Sequence, residues 1–179
     1  MPQVTGQTHL VGVVPVHIKK PLCDAIESVP NGVFFHGNNH HQPRQDEIIE
    51  LDIEIHDFLS QQRHWELVRN FRPFHDCDFH VDLACEKHEV LIEIEKGTAP
   101  RLELDILKVA RACLQFPEKW KYGALVVPST HIQLRLAGRQ KPYEFLADHL
   151  KPLVKPILEA CKVSGFVVIG YEDPRPERQ

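Results

Sequence analysis

Residues 89–95 read Glu-Val-Leu-Ile-Glu-Ile-Glu, and this stretch decides the fold. It alternates between apolar and acidic side chains, which is typical of a β-strand with two different faces. Because side chains two residues apart in a strand point the same way, Glu93 and Glu95 are expected on one face. Ile92 and Ile94 then occupy the other face, so the strand predicts an acidic surface backed by an apolar one.

A second alternating stretch precedes the first. Residues 79–84 read Phe-His-Val-Asp-Leu-Ala and predict a strand with one covered face, in which Asp82 is in phase with His80. Lys87-His88 lies between the two stretches and predicts a hairpin. Pairing of the two strands through that turn is expected to bring Asp82 beside Glu93, so that three carboxylates lie on one surface of a sheet.

The remaining patterns predict an α/β fold. Four helices are expected, two of them with apolar residues at helical spacing, and four further segments before and after the hairpin predict strands. The predicted helices are 21–28, 46–60, one from about Pro100 to Cys113, and 142–161 with a bend at Pro152 and Pro156; the other predicted strands are 11–14, 65–68, 123–128 and 166–170. A hairpin followed by a crossover helix predicts a mixed central β-sheet flanked by helices on both faces.

One domain is expected over residues 1–179, with a core of about 46–172, an N-terminal extension at 1–45 and a tail at 173–179 that frays. The formal net charge of −4 argues against a protein that coats nucleic acid non-specifically. The five cysteines are odd in number and form no Cys-x-x-Cys pair, which favours a reducing, cytoplasmic location. No apolar run approaches the roughly 20 residues that cross a bilayer, so no membrane association is expected.

The three acids carry the chemical prediction. Closely spaced carboxylates repel one another and lose hydration, so at least one of them must take up a proton unless a cation compensates. A hard divalent cation with oxygen ligands, usually Mg²⁺, removes that repulsion, polarises a phosphoryl oxygen and lowers the pKa of a bound water. The chemistry predicted is phosphodiester hydrolysis. The alternative is that Glu93 and Glu95 form only the solvated face of a strand.

The same order of residues carries a family resemblance. Asp82, then Glu93-Ile94-Glu95, then a turn and a helix resemble the core motif of the PD-(D/E)XK nuclease superfamily. The resemblance is strongest to BamHI/BglII-like type II restriction endonucleases, in which another residue replaces the usual motif lysine. It rests on Val90 to Gly97, followed by Arg101, Asp105 and Lys108. The fold it implies is a restriction-endonuclease-like core.

The resemblance also implies roles. Asp82 and Glu93 would be metal ligands, and Glu95 would take the lysine position, where it orients or deprotonates the water. A further metal ligand would come from the preceding helix, with Glu50 favoured over Glu47 and Glu54. The implied activity is a Mg²⁺-dependent DNA endonuclease, with Mn²⁺ able to substitute, acting as a homodimer. The alternative is a catalytically inactive nucleic-acid-binding or accessory protein on the same fold.

Two departures from the motif bear on that choice. No proline precedes Asp82, and no lysine stands two residues after Glu93. Lys96 comes one residue too late and, by strand parity, points to the opposite face. Asp78 shares the parity of Asp82 and competes with it for the first acidic position.

Basic residues outside the motif are candidate nucleic-acid contacts. Arg101 and Lys108 are seven residues apart on the helix that follows Glu95, hence on nearly one face, and either contact phosphates or form a solvated face. Lys119 and Lys121 alternate with Trp120 and Tyr122, as in surfaces that grip nucleic acid, although paired aromatics also close the end of a core. Arg139 follows the predicted central strand. His36, His40 and His41 are read as a solvated polar loop.

Overall fold

The computed structural model of the chain describes residues 2–30, 45–95, 101–129 and 142–172, and of residues 45–50 and 142 only the helical backbone. Six strands and a series of helices alternate along the chain. The strands are β1 (Gln3–Gly12), β2 (Val68–Phe71), β3 (Val81–Cys85), β4 (Val90–Ile94), β5 (Tyr122–Pro128) and β6 (Gly165–Glu172). The helices are α1 (Val16–Ser28), α2 (Gln45–Ser60), α3 (Leu102–Gln115), α4 (Pro142–Phe145) and α5 (Lys151–Ala160), with a 3₁₀ turn at Glu86–His88 and a π-helical segment at Leu146–Leu150.

All six strands form one mixed sheet in the order β1-β6-β5-β4-β3-β2. Strands β2, β3 and β4 are consecutive antiparallel neighbours, whereas β4, β5 and β6 run parallel and β1 pairs antiparallel with β6. The parallel strands β5 and β6 are almost wholly apolar and buried, as expected for strands that are covered on both faces. The predicted mixed sheet of an α/β protein is therefore confirmed.

Helices cover both faces of this sheet, as predicted. One apolar core lies between the sheet and the pair α1 and α2, to which α2 contributes Leu51, Ile55 and Leu59 at four-residue spacing. The other core lies between the sheet and the helices α3 and α5. Strand β4 divides its side chains between the two cores, with Leu91 on the α3 side and Ile92 on the α2 side.

The predicted hairpin is confirmed, because β3 and β4 pair antiparallel across the 3₁₀ turn. The turn ends at Glu89, whose backbone lies in the left-handed region at φ 53°. The helix predicted at 46–60 is found as α2, and the strands predicted at 123–128 and 166–170 are found as β5 and β6, each slightly longer than predicted.

Three boundaries differ from the predictions. The strand predicted at 65–68 is wrong: β2 spans Val68–Phe71, and Trp65 instead packs its indole 4.7 Å from the His88 ring, centroid to centroid. The strand predicted at 11–14 is found at Gln3–Gly12, and the helix after it begins at Val16. The predicted interruption near Pro152 is present as the π-helical segment, which ends just before that proline.

No helix in the described ranges is long and apolar enough to cross a membrane. The tail predicted to fray, residues 173–179, and the histidines His36, His40 and His41 lie outside the described residues. All five cysteines are described, and their thiols are free. Cys85 and Cys113 are buried in the core, in accordance with their apolar surroundings in the sequence.

Candidate active site

The hairpin register brings the first two predicted acids together. Leu83 lies opposite Ile92 and Ala84 opposite Leu91, so the same register continued by one residue puts Asp82 beside Glu93. The backbone N–H of Ile94 donates a 2.7 Å hydrogen bond to Oδ2 of Asp82. This bond fixes the carboxylate of Asp82, near the amino end of β3, beside the carboxyl end of β4, which carries Glu93.

Glu93 is buried on the α3 side of the sheet. Its side chain is only 3% exposed, and its Oε1 lies 2.6 Å from Nζ of Lys108 on α3. The predicted parity is confirmed, since the neighbours Ile92 and Ile94 pack into the core on the α2 side. Glu93 is therefore not part of a solvated strand face, and the alternative reading of that strand does not hold for this residue.

Lys108 lies inside this group of acids. Besides Glu93, its ammonium contacts Oδ1 of Asp105 at 2.8 Å and donates a 3.0 Å hydrogen bond to the backbone carbonyl of His80. The lysine side chain is 11% exposed. Of these three contacts, the one to the carbonyl of His80 is a hydrogen bond, and the two to Glu93 and Asp105 are close ammonium–carboxyl contacts.

The third predicted acid, Glu95, joins the same group through α3. Its carboxyl group is hydrogen-bonded to that of Asp105. Two carboxyl groups share a hydrogen bond only when one of them carries the proton. The four acids Asp82, Glu93, Glu95 and Asp105, with the single cation Lys108, are called the acidic cluster below.

Carboxyl groups outnumber cations in this cluster, and the pKa values reflect it. Burial, followed by repulsion from Asp105 and Asp82, raises the pKa of Glu93 to about 9, with Lys108 opposing the change. Burial likewise raises the pKa of Asp105 against the stabilising effect of Lys108. Burial alone would lower the pKa of Lys108, but the charges of Glu93 and Asp105 outweigh it and raise that pKa. The lysine is thus held in its charged form, and the cluster retains protons on its acids.

The acidic cluster lies at the carboxyl ends of the parallel strands. Glu93 is the penultimate residue of β4, and Ser129 directly follows β5. In the described part of the chain, the buried polar or charged residues are Glu93, Asp105 and Ser129. In open α/β sheets, the carboxyl ends of the parallel strands are the usual location of ligand sites.

Four of the five predicted nucleic-acid contacts are described, and they occupy three different environments. Lys108 is enclosed by the acidic cluster, and Arg101 is exposed immediately before α3. Lys119 and Lys121 lie at the other end of the sheet, where they pair with Glu86 at 3.4 Å and Glu89 at 2.5 Å. Arg139 lies outside the described residues.

The parallel register explains why Lys119 and Lys121 do not flank the acids. Val90 aligns with Tyr122 and Glu93 with Leu125, so the start of β5 lies beside the start of β4. Four residues of strand separate Glu89 from Glu93, which is about 13 Å. Trp120, between the two lysines, is buried and packs edge-on against Phe71 with ring centroids 5.3 Å apart. The aromatic residue therefore closes the end of the core, which was the alternative reading of this segment.

Two other acids that the sequence offered as site residues are Asp78 and Glu50. Asp78, the competitor of Asp82, is 86% exposed and pairs with Arg72 at 3.2 Å, away from Glu93. Glu50 belongs to α2, whose apolar residues pack on the opposite face of the sheet from α3, and its side chain lies outside the described residues. Its role as a metal ligand stays a prediction.

Asp105 and Ser129 were missed as site residues by the sequence reasoning, and Lys108 was given a different role. The missed signal for Asp105 is its position: it falls in the inward stripe of α3 between Leu102 and Val109, where an apolar residue is expected. An acid at such a position needs a partner, and Lys108 follows one turn later.

The donor set of the cluster suits a magnesium ion. In the described ranges, no three His, Cys, Asp or Glu side chains are arranged to enclose a metal ion. Mg²⁺, however, is usually held by one or two carboxylates together with waters and substrate phosphates rather than by an all-protein cage. Asp82 and Glu93 are two such carboxylates, and the excess of buried acid is the charge imbalance that a divalent cation relieves.

No protein-family model matches the chain, and no curated protein matches it.

Proposed function

We propose that this protein is a Mg²⁺-dependent endonuclease that hydrolyses phosphodiester bonds in DNA, with a restriction-endonuclease-like version of its α/β fold. The observation that carries the proposal is the side-by-side placement of Asp82 and Glu93 at the carboxyl end of β4, with more buried carboxyl groups than cations around them. Perturbed acids of this kind cluster at functional sites.

The order of elements supports the proposal. From α2 to β5 the chain forms a helix, three consecutive antiparallel strands, a crossover helix and a parallel strand. The first acid comes from the middle strand of the three, Glu93 from the end of the third strand, and Glu95 directly follows that strand. This is the order of acid, acid pair, turn and helix on which the resemblance to PD-(D/E)XK nucleases depends.

In this mechanism Asp82 and Glu93 would hold Mg²⁺, or Mn²⁺ in its place. The ion supplies Lewis-acid polarisation of a phosphoryl oxygen and a water of lowered pKa. Glu95 accepts a proton from the attacking water when the proton that it already shares with Asp105 lies on Asp105, which leaves Glu95 ionised. Burial of Glu93 beneath α3 keeps bulk water from screening these charges.

Arg101 supports a nucleic-acid substrate, because it is an exposed guanidinium at the start of the helix that carries Asp105 and Lys108. We propose a cytoplasmic homodimer, since cutting both strands of a duplex requires two sites. Cleavage of supercoiled plasmid distinguishes a dimer from a monomer. A dimer converts the plasmid directly to linear DNA, whereas a monomer accumulates the nicked circle.

The test is plasmid cleavage in Mg²⁺ or Mn²⁺ by the wild type and the variants Asp82→Ala and Glu93→Ala. Each substitution should reduce the cleavage rate by at least about 100-fold, which corresponds to the loss of a few kcal/mol of transition-state stabilisation. Asp78→Ala is the matched control, because Asp78 is an exposed acid close to the same strand and should leave the rate unchanged. Cleavage that survives both Asp82→Ala and Glu93→Ala would remove the assigned site.

One observation favours a second candidate, an inactive nucleic-acid-binding or accessory protein on the same fold. The ammonium of Lys108 already lies against Glu93, and Glu95 stands where the resemblance expects a lysine. In that case the wild type retards duplex DNA in a gel and leaves plasmid intact with either metal. Cleavage by the wild type alone would exclude this candidate.

A further inference from the structure

We infer that Lys108 is the resident cation of the acidic cluster and competes with the divalent ion for Glu93. The inference rests on the proposed function, because it concerns the affinity of the same site for its metal. It assigns Lys108 a role different from phosphate contact. In the metal-free protein the ammonium occupies the place beside Glu93 that the ion would take.

The geometry shows a direct competition for one carboxylate. Nζ of Lys108 lies 2.6 Å from Oε1 of Glu93, and both side chains are almost fully enclosed, at 11% and 3% exposed. An oxygen that held Mg²⁺ at about 2.1 Å and the ammonium at 2.6 Å would bring the two positive charges within about 4 Å of each other. Their repulsion favours withdrawal of Lys108 from Glu93 when the metal binds.

The surroundings of Lys108 make this withdrawal possible without exposing the lysine. Its ammonium has two other acceptors, Oδ1 of Asp105 at 2.8 Å and the backbone carbonyl of His80 at 3.0 Å. Asp105 lies one turn before it on the same helix, so their i,i+3 contact does not depend on Glu93. Loss of the Glu93 contact leaves the lysine charged, enclosed and still paired.

The energetic consequence is a reduced affinity for metal in the free protein. The ion must displace the ammonium from its 2.6 Å contact with Glu93, and it then lies within a few ångströms of a positive charge. Both effects oppose binding, and neither is screened well in a buried site. Removal of the positive charge should therefore tighten metal binding even though it removes no metal ligand.

The experiment is calorimetric titration of Mn²⁺ into the metal-free wild type and the variant Lys108→Met, which keeps the apolar stem and removes the charge. We expect Lys108→Met to bind Mn²⁺ at least about tenfold more tightly than the wild type. Lys155→Met is the matched control: Lys155 is also on a helix and paired with a glutamate, but it is 54% exposed, and its loss should not change the affinity.

A second variant guards against misfolding. Lys108→Gln retains a donor for His80 and Asp105 without the charge, and it should tighten Mn²⁺ binding in the same direction. Circular dichroism establishes that each variant is folded. Binding by Lys108→Met or Lys108→Gln where the wild type shows none would also support the inference, because it means that the lysine fully blocks the site.

The outcomes separate the inference from the proposed function. Equal or weaker Mn²⁺ binding by both folded Lys108 variants, with binding by the wild type that Glu93→Gln abolishes, would overturn the competition and leave the metal site intact. Binding by none of the proteins would overturn both. Mn²⁺ binding that Glu93→Gln leaves unchanged places the ion elsewhere and also removes the basis of both.

Discussion

Charged residues occupy both ends of strand β4, and the two ends differ in burial and in balance. At its carboxyl end, the acidic cluster combines four acids with one lysine, and Glu93 and Asp105 are buried. At its amino end, Lys119 pairs with Glu86 and Lys121 with Glu89, each in a one-to-one ion pair that is open to solvent. These four residues and Trp120 are called the opposite end below.

The difference separates charge that serves the fold from charge that serves a site. Exposed, balanced ion pairs contribute little to stability and leave no group in an unusual protonation state. A buried excess of acid costs free energy. Binding of a cation or ligand that neutralises the acids offsets that cost, so such an excess is typical of a functional site. The contrast makes four predictions, which rank from several kcal/mol to no measurable effect.

The largest effect is expected at the opposite end and comes from an apolar side chain. Trp120→Ala should lower the free energy of unfolding by about 4 kcal/mol, because the indole is 3% exposed and packs against Phe71. Urea denaturation followed by circular dichroism measures the change. A loss below about 1 kcal/mol, together with weaker DNA binding, would instead make Trp120 a nucleic-acid contact.

The next effect is expected at Lys108. Lys108→Ala leaves Glu93 and Asp105 without their buried cation and should lower the free energy of unfolding by about 3 kcal/mol. Lys119→Ala is the matched substitution at the opposite end, where the lysine is 51% exposed, and it should change stability by no more than about 0.5 kcal/mol. Similar values for the two variants in parallel urea titrations would contradict the contrast between the ends.

The third effect, ranked by its size per unit of pH, is a dependence of stability on pH. The pKa of Glu93 is about 9 in the folded protein and 4.5 as its ordinary value, so between these pH values the folded state holds one more proton than the unfolded state. Stability from this group is complete below pH 4.5 and is lost as the pH rises through about 9, at on the order of 1 kcal/mol per pH unit.

Glu93→Gln should remove that loss, because glutamine cannot ionise. Urea midpoints measured in EDTA from pH 5 to pH 9 should fall more steeply for the wild type than for Glu93→Gln. Glu86→Gln at the opposite end provides the comparison and should retain the wild-type slope. Equal slopes for wild type and Glu93→Gln would show that Glu93 is ionised throughout this range in the folded protein.

Sequence reasoning could predict the acid-bearing hairpin because its signal is local. Strand parity places Glu93 and Ile92 on opposite faces, and a short turn places Asp82 beside Glu93. The same reasoning located α2 and the buried strands β5 and β6 within a few residues. Each of these predictions depends on spacing within one segment.

The contacts across the fold were not available from spacing. The pairing of β1 with β6 joins residues more than 150 positions apart, and no local pattern specifies it. The approach of Lys108 to Glu93 depends on how α3 crosses the sheet, so the sequence predicted the lysine only as a phosphate contact or as part of a solvated face. Lys119 and Lys121 were predicted as nucleic-acid contacts because they alternate with aromatic residues, but the parallel register carries them to the opposite end, away from the acids.

The smallest predicted effect tests that last placement. A double variant, Lys119→Ala with Lys121→Ala, should bind duplex DNA with an affinity within about twofold of the wild type, because both lysines are engaged with glutamates about 13 Å from the acidic cluster. Arg101→Ala, at the start of α3, should weaken binding several-fold, and fluorescence anisotropy with a labelled duplex measures both. A reversed ranking would mean that DNA crosses the opposite end of the sheet, and the acidic cluster would then lie away from the bound phosphates.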